Sequence, residues 1–171
     1  MTSASTRYPE IMKRAILFLL CLPVFAAGPV NPDALTPIDE AGFQKLVNSH
    51  KGKVVVYDFW ATWCAPCRAE LPLLVKLQAK LRSQGVEVIT ISADEPEQKG
   101  AAEKFIQKFG VEGSAYLKQA ANDDHFISAI DPKWGGALPA LFIYDKTGHK
   151  ARSFVGETDM AAVEAAVRKL L

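Results

Sequence analysis

The chain has 171 residues, 49% of them hydrophobic and 23% charged, which fits one ordinary globular domain with a sizeable core. Its 20 basic side chains nearly balance its 19 acidic ones, so the charge gives no sign of binding to nucleic acid or to another polyanion. No internal repeat or low-complexity segment appears. The function therefore has to be sought in particular residues.

Residues 1–27 are predicted to be an N-terminal extension and an export signal rather than part of the fold. Lys13 and Arg14 precede an apolar stretch at residues 15–22, and a small-residue cleavage pattern ends at Ala26. An uncleaved membrane anchor is the alternative, but the apolar stretch is shorter than the ~20 residues that a spanning helix needs. We therefore expect cleavage and a periplasmic location.

Cleavage after Ala26 would also simplify the cysteine count. Cys21 would leave with the signal, and Leu20 before it is larger than the residue that a lipoprotein signal normally has there. The mature chain would keep only the pair Cys64 and Cys67. An exported chain with this pair alone has no structural disulfide, so the two cysteines are expected to react.

The segment before the domain is rich in proline. Residues 28–38 are predicted to be a linker or an edge segment, and residues 39–171 to form the domain. A short helix follows over 39–47, with Asp39 as its cap.

A buried strand then runs into a helix that carries two thiols. Residues 54–60 are β-branched or aromatic apart from Asp58, which is typical of a central strand covered on both faces. Pro66 suits the first turn of the next helix, predicted over 65–83. Cys64 is therefore expected at the N-terminus of that helix, where the unpaired N–H groups favour a thiolate.

Cys64 and Cys67 form a C-x-x-C pair, in which thiol pKa values fall to roughly 3.5–7.5. Cys64 is the expected nucleophile, and Cys67 lies one helical turn further on, where it can close a disulfide. Half of a zinc site is disfavoured because no second C-x-x-C exists and the three histidines are scattered. Haem attachment would need a histidine where Arg68 stands. The pattern therefore predicts redox chemistry.

The remaining elements follow from hydrophobic runs and turn residues. A helix–strand alternation of this kind predicts a parallel pair of strands with a right-handed crossover, followed by a terminal antiparallel hairpin. The predicted elements are a strand over 86–93, a helix from the turn at 94–96 to about 109, a short strand at 115–117, a helix over 123–130 capped by Asn122, strands over 139–144 and 149–155, and a closing helix over 158–171 capped by Thr158.

The stretch Asp58-Phe59-Trp60-Ala61-Thr62-Trp63-Cys64-Ala65-Pro66-Cys67 resembles the thioredoxin superfamily. Its continuation, Cys67-Arg68-Ala69-Glu70-Leu71-Pro72, is similar to the TlpA/ResA-like thiol-disulfide oxidoreductases of the bacterial envelope. The resemblance implies an α/β thioredoxin-like fold: a central mixed β-sheet flanked by helices, with a short central insertion. One departure is Asp58, where this family more often has asparagine.

The resemblance also implies roles for individual residues. Glu70 matches the family's active-site acid, and Pro139, after Leu138, matches a cis-proline that faces the C-x-x-C. Asp58 is placed to accept a proton from Cys67. The surface that meets the partner is expected to include Trp63, Pro66, Leu138 and Pro139, and Trp134 is a weaker candidate for the same cleft.

The resemblance implies a reductant of protein disulfides in the envelope, which could serve cytochrome c maturation. Its electrons would come from a membrane thiol carrier, no diffusible cofactor or metal would be needed, and we expect a monomer. Two other classes stay open at this point. A peroxiredoxin-like peroxidase shares the fold but lacks a resolving thiol so close by, and a non-catalytic binding or chaperone module would not need the intact C-x-x-C.

Overall fold

The computed structural model describes Met1 and residues 35–171. The expected export signal over 1–27 and most of the expected linker therefore lie outside the described residues, apart from Met1. Residues 35–171 contain six strands and five α-helices, with short 3-10 turns at residues 82–84 and 96–98. In chain order the elements are β1 Thr36–Ile38, α1 Glu40–Ser49, β2 Val54–Trp60, α2 Ala65–Leu81, β3 Val86–Ser92, α3 Lys99–Lys108, β4 Ala115–Lys118, α4 Asp123–Ile130, β5 Ala140–Tyr144, β6 Lys150–Val155 and α5 Met160–Arg168.

The six strands form one mixed sheet in the order β1-β4-β3-β2-β5-β6. The first four are parallel, whereas β5 runs antiparallel to β2 and β6 antiparallel to β5. This confirms the predicted parallel half and terminal hairpin. Strand β2 lies between β3 and β5, so the carboxyl end that leads to Cys64 is at the centre of the sheet.

Side-chain alternation along β2 divides the core into layers. Val55, Tyr57 and Phe59 pack on one face with α1 and α4, and Val54 and Val56 pack on the other with α2 and α5. Every residue of β2 is buried, as the strand's composition predicts. Asp58 has the parity of Val54 and Val56, so it lies on the face that α2 covers.

The segment expected as a linker or edge segment ends in structure that belongs to the domain. Residues 36–38 form the edge strand β1, which pairs with β4, and Leu35 and Ile38 are buried. Of the two predicted alternatives, residues 36–38 form the edge segment and not a linker, and the folded unit begins before residue 39.

The predicted N-cap of the last helix, α5, is wrong by one residue. Asp159 is the N-cap of α5, because its side chain accepts a hydrogen bond from the backbone of Ala161. Thr158 instead donates its hydroxyl to the carbonyl of Gly156. The predicted caps Asp39 and Asn122 are confirmed. No helix within residues 35–171 is both long and apolar enough to cross a membrane.

Candidate active site

The two thiols lie where β2 passes into α2, joined as a disulfide with their Cα atoms 5.3 Å apart. Cys64 is the N-cap of α2, and its Sγ accepts a hydrogen bond from the backbone N–H of Cys67 at 3.3 Å. Pro66 lies in the first turn, where its missing N–H costs no helical bond. The helix start therefore offers both a donor and a positive dipole end to a thiolate on Cys64.

Both cysteines are buried, and an exposed tryptophan lies beside them. Cys64 is 6% exposed and Cys67 is 2% exposed, and both pack in a small cluster with Trp60, Ala61 and Leu71. Trp63, directly before Cys64, is 63% exposed. The assignment of Cys64 as the nucleophile stays a prediction.

The structure brings the predicted Leu138-Pro139 segment to the cysteine pair. Leu138 is half-buried and packs against the cluster that holds Cys64 and Cys67, and the Leu138–Pro139 peptide bond is cis. The carbonyl of Pro139 accepts a hydrogen bond from Gly156, which fixes the start of β5 against the end of β6.

Trp134 does not line an exposed cleft, so that expectation is wrong. It is 7% exposed, and its ring packs 5.0 Å from that of Phe59 and 5.2 Å from that of Phe142. Its indole N–H donates to the carbonyl of Ala137 within its own loop. With its one polar group satisfied locally, the ring is free to join the core.

Asp58 is a buried carboxyl beneath α2. It is 2% exposed, and its Oδ2 has no hydrogen-bond partner among the described residues. Burial raises the pKa of Asp58 well above its usual range, and the charge of Glu70 raises it further. Asp58 therefore tends to hold a proton under conditions where an exposed aspartate would be ionised.

Glu70 lies one helical turn beyond Cys67 and is 7% exposed. Burial raises the pKa of Glu70 to about 7, and its Oε1 has no hydrogen-bond partner among residues 35–171. Glu70 also lines an open cavity of about 250 Å³, together with Pro66, Leu73, Glu157 and Thr158. Glu70 is therefore a buried carboxyl group and not a solvated charge on the helix surface.

The sequence predicts only a turn residue at Asp94. The structure buries it completely beside the loop that leads to Cys64, where it accepts hydrogen bonds from Thr62. Its position just after a strand was a weak signal, since many strands are followed by acidic turn residues. Among the described residues, no group of three His, Cys, Asp or Glu side chains is placed to hold a metal ion.

A redox-active C-x-x-C at the start of a helix, on a mixed sheet of this topology, defines a thiol-disulfide oxidoreductase of the thioredoxin-like fold. Comparison with known proteins agrees. The profile of the AhpC/TSA family matches residues 30–150, which is most of the chain, and the chain belongs to this thioredoxin-like family.

Named relatives give the same class. The chain is 30% identical over 139 residues to the thiol-disulfide oxidoreductase ResA of Geobacillus kaustophilus, covering 81% of this chain and 75% of that protein. It is 33% identical over 120 residues to ResA of Bacillus anthracis, covering 70% of this chain and 65% of that one. A crystal structure of a thioredoxin-family thiol:disulfide interchange protein from Chlorobium tepidum matches with a TM-score of 0.60 at 25% identity, over 72% of this chain and 83% of that one.

Proposed function

We propose that the protein is exported to the periplasm and reduces disulfides of partner proteins there through Cys64 and Cys67. The observation that carries the proposal is the Cys64–Cys67 pair at the start of α2, with the buried acid Glu70 one turn beyond Cys67 and the buried acid Asp58 on the face of β2 that α2 covers. The N-terminal sequence pattern and the similarity to proteins named ResA support it further.

The reduced pair would act in two exchange steps. The Cys64 thiolate attacks one sulfur of the partner disulfide, a mixed disulfide forms, and the other partner sulfur leaves as a thiolate. Cys67 then loses its proton and attacks the Sγ of Cys64, which releases the second partner thiol. Two electrons pass to the partner, and the Cys64–Cys67 disulfide of the present structure is regenerated.

The second step needs a base for Cys67, and Asp58 is suited to that role. A carboxylate of ordinary pKa is a weak base towards a thiol of pKa about 8.5. Burial raises the pKa of Asp58 and so brings it closer to that of the thiol. The side chain lies on the face of β2 that α2 covers, so the proton would move beneath the helix without entering bulk water.

Glu70 supports the direction of electron flow. When ionised, its charge one turn beyond Cys67 opposes a thiolate at the helix start. Thiolates of lower stability favour the disulfide form of the enzyme, which makes the pair a better reductant. Electrons would then come from a membrane thiol carrier, and apocytochrome c is one class of substrate that such a reductant could serve.

The partner would bind as an extended segment beside Trp63, Pro66 and Leu138, and the cis Pro139 next to Leu138 is buried. Trp63 offers an exposed aromatic surface beside Cys64, and Leu138 is half-buried against the cysteine cluster. Extended peptides that pair with a free backbone segment gain affinity from main-chain hydrogen bonds and specificity from such side chains.

Trapping of mixed disulfides in cells tests the proposal. Cys67→Ser should accumulate covalent complexes with periplasmic proteins, because the resolving thiol is gone. Cys64→Ser should accumulate few, because the proposed nucleophile is gone. Non-reducing gels of periplasmic extracts, with free thiols alkylated first, would show both the complexes and the redox state of the wild-type pair.

The wild-type pair should be found mostly as the dithiol, as a reductant requires. A pair found mostly as the disulfide would contradict the reductant role, and trapping by Cys64→Ser instead of Cys67→Ser would reverse the thiol assignment. Consumption of peroxide by the purified protein, without turnover of protein disulfides, would indicate a peroxidase instead.

A further inference from the structure

The loop that carries Cys64 is tied to the neighbouring strand by one buried carboxylate. Asp94 lies two residues beyond the end of β3 and is 0% exposed. Its Oδ1 accepts a hydrogen bond from the hydroxyl of Thr62 at 2.7 Å, and the backbone N–H of Thr62 lies 3.1 Å from Oδ1 and 3.0 Å from Oδ2. Both donors of Thr62 are therefore committed to Asp94.

Asp94 is itself held in place by Ser92. The Ser92 hydroxyl donates to Oδ2 of Asp94 at 2.7 Å, and its oxygen accepts from the backbone N–H of Asp94 at 3.1 Å. Just beside them, the N–H of Ala93 donates to the carbonyl of Trp60 at 2.7 Å. The carboxylate thus has a single orientation, fixed to the ends of β2 and β3.

These bonds differ from those of an ordinary turn aspartate. Asp145, in the hairpin between β5 and β6, also accepts from a threonine N–H and hydroxyl, but Thr147 is only two residues away and these hydrogen bonds are exposed. The bonds from Thr62 to Asp94 instead join segments 32 residues apart and are partly buried. No described Lys, Arg or His forms an ion pair with Asp94, so neutral donors alone compensate its burial.

The loop needs such an anchor most when the cysteines are reduced. In the oxidised state the Cys64–Cys67 bond itself ties the loop to α2. Once that bond opens, the position of Cys64 depends on non-covalent contacts such as the bond from its N–H to the carbonyl of Ala61 at 3.1 Å. A loop that drifted would carry Sγ away from the N–H of Cys67, which is its donor at the helix start.

We propose that Asp94 is a positioning residue of the active site, which holds Thr62, and through it the loop of residues 61–63, so that Cys64 keeps its place at the start of α2 in the dithiol state. The role rests on the thiol-disulfide exchange proposed above. Among the described residues, the hydrogen bonds of Asp94 go to Thr62 and Ser92 and not to Cys64 or Cys67, so it acts on the cysteines through Thr62.

The test compares Asp94→Asn with Thr62→Val, Thr62→Ser and the control Asp145→Asn. Asparagine keeps one carbonyl oxygen but places an NH₂ group against donors, so at least one bond to Thr62 or Ser92 is lost. Thr62→Val removes only the hydroxyl bond, and Thr62→Ser keeps it. The readouts are kcat and KM for reduction of a protein disulfide, the thiol pKa of Cys64 in the reduced protein, and the thermal midpoint.

We expect Asp94→Asn to lower kcat about tenfold with KM changed less than about twofold, and to raise the thiol pKa of Cys64. Thr62→Val should show a smaller change of the same kind, and Thr62→Ser, which keeps the hydroxyl, should have wild-type values. Asp145→Asn should leave both kcat and the thiol pKa unchanged, even if its thermal midpoint falls.

A folded Asp94→Asn protein with wild-type kcat and thiol pKa would overturn the proposal. If Asp94→Asn does not fold, Thr62→Val decides, and wild-type values there would overturn it equally. Failure of the proposed function looks different, because the wild-type protein itself would then not reduce disulfides. The thiol pKa can still be measured in that case, and an unchanged value in Thr62→Val would count against the role of Asp94.

Discussion

Asp58 and Glu70 are two carboxyl groups that share one buried region, and their charges compete. Each has an oxygen without a hydrogen-bond partner among the described residues. Burial raises the pKa of both, and the charge on Glu70 adds to the rise at Asp58. Because two neighbouring anions in a poorly solvated place repel each other, the pair favours a state with at least one proton.

This burial gives a pH dependence of stability whose sign can be worked out. The pKa of Glu70 is about 7 in the folded protein, above its ordinary value of 4.5. Between these values the folded chain holds a proton that the unfolded chain has lost, so the free energy of unfolding falls as the pH rises through this window. Above about pH 7 the cost of burying the charge is fully present.

Glu70→Gln should therefore flatten the pH dependence in the oxidised protein, where the cysteines do not titrate. Between about pH 5 and pH 8 we expect the wild type to lose about 2 kcal/mol more than the variant. Urea unfolding at both pH values measures the difference.

Glu164→Gln is the control for this experiment. Hydrogen bonds from Lys80 and Arg168 lower the pKa of Glu164, so the stability that it adds is lost only as the pH falls below its ordinary range. Its removal should leave the slope between about pH 5 and pH 8 unchanged. If the free energy of unfolding of wild type and of Glu70→Gln falls equally with pH, ionisation of Glu70 does not destabilise the folded protein.

At the scale of elements, sequence reasoning worked where one signal dominated. The buried run in β2, the Pro66 start of α2 and the Asn122 cap of α4 each predicted their element correctly. It failed where two residues offered the same chemistry. Thr158 and Asp159 are both good caps, and only the path of the chain after β6 decides between them.

The active site shows the same limit. The C-x-x-C spacing and the position of Asp58 in a buried strand could be seen in the sequence, and the structure places them as expected. The network of Asp94 could not, because it joins residues 32 positions apart. Nor could the burial of Trp134, which depends on Phe59 and Phe142 from two different strands.

A side chain of α2 forms a hydrogen bond with the part of β3 that has no neighbouring strand on its outer side. Strand β4 pairs with β3 only over residues 90–92, so residues 86–89 lack a strand neighbour on that side. Gln78 covers the gap: its Oε1 accepts from the N–H of Val88 at 2.6 Å, and its Nε2 donates to the carbonyl of Glu112 at 3.0 Å. One amide therefore joins α2, β3 and the segment before β4.

Gln78→Met should lower the free energy of unfolding by about 1–3 kcal/mol, because the buried N–H of Val88 would lose its partner. Lys76→Met, on an exposed position of the same helix, is the matched control and should change it by less than about 0.5 kcal/mol. Urea unfolding of the oxidised proteins compares them, and equal losses in both variants would mean that the amide bridge adds nothing.

At the scale of the whole molecule, the folded unit starts earlier than its hydrophobic pattern indicates. Strand β1 has only three residues, includes Pro37 and buries only Ile38, so it carries no clear strand signal. Its contribution is visible only in the assembled sheet, where it pairs with β4, while the N–H of Leu35 donates to Glu103 in α3.

A chain that starts at residue 39 should therefore be much less stable than one that starts at Ala27, the expected product of signal cleavage. Leu35 is 0% exposed and Ile38 is 4% exposed, and burial of such side chains contributes about 1.5–3 kcal/mol each. Loss of both, together with the pairing to β4, amounts to a large part of the roughly 5–15 kcal/mol that holds a domain folded.

Urea unfolding of the two chains measures the difference in stability. In the longer chain, Ile38→Ala separates the effect of burial from that of truncation, and Thr36→Ala is the exposed control on the same strand. If the two chains unfold at the same urea concentration, β1 lies against the domain without contributing to its stability, and the boundary at residue 39 stands.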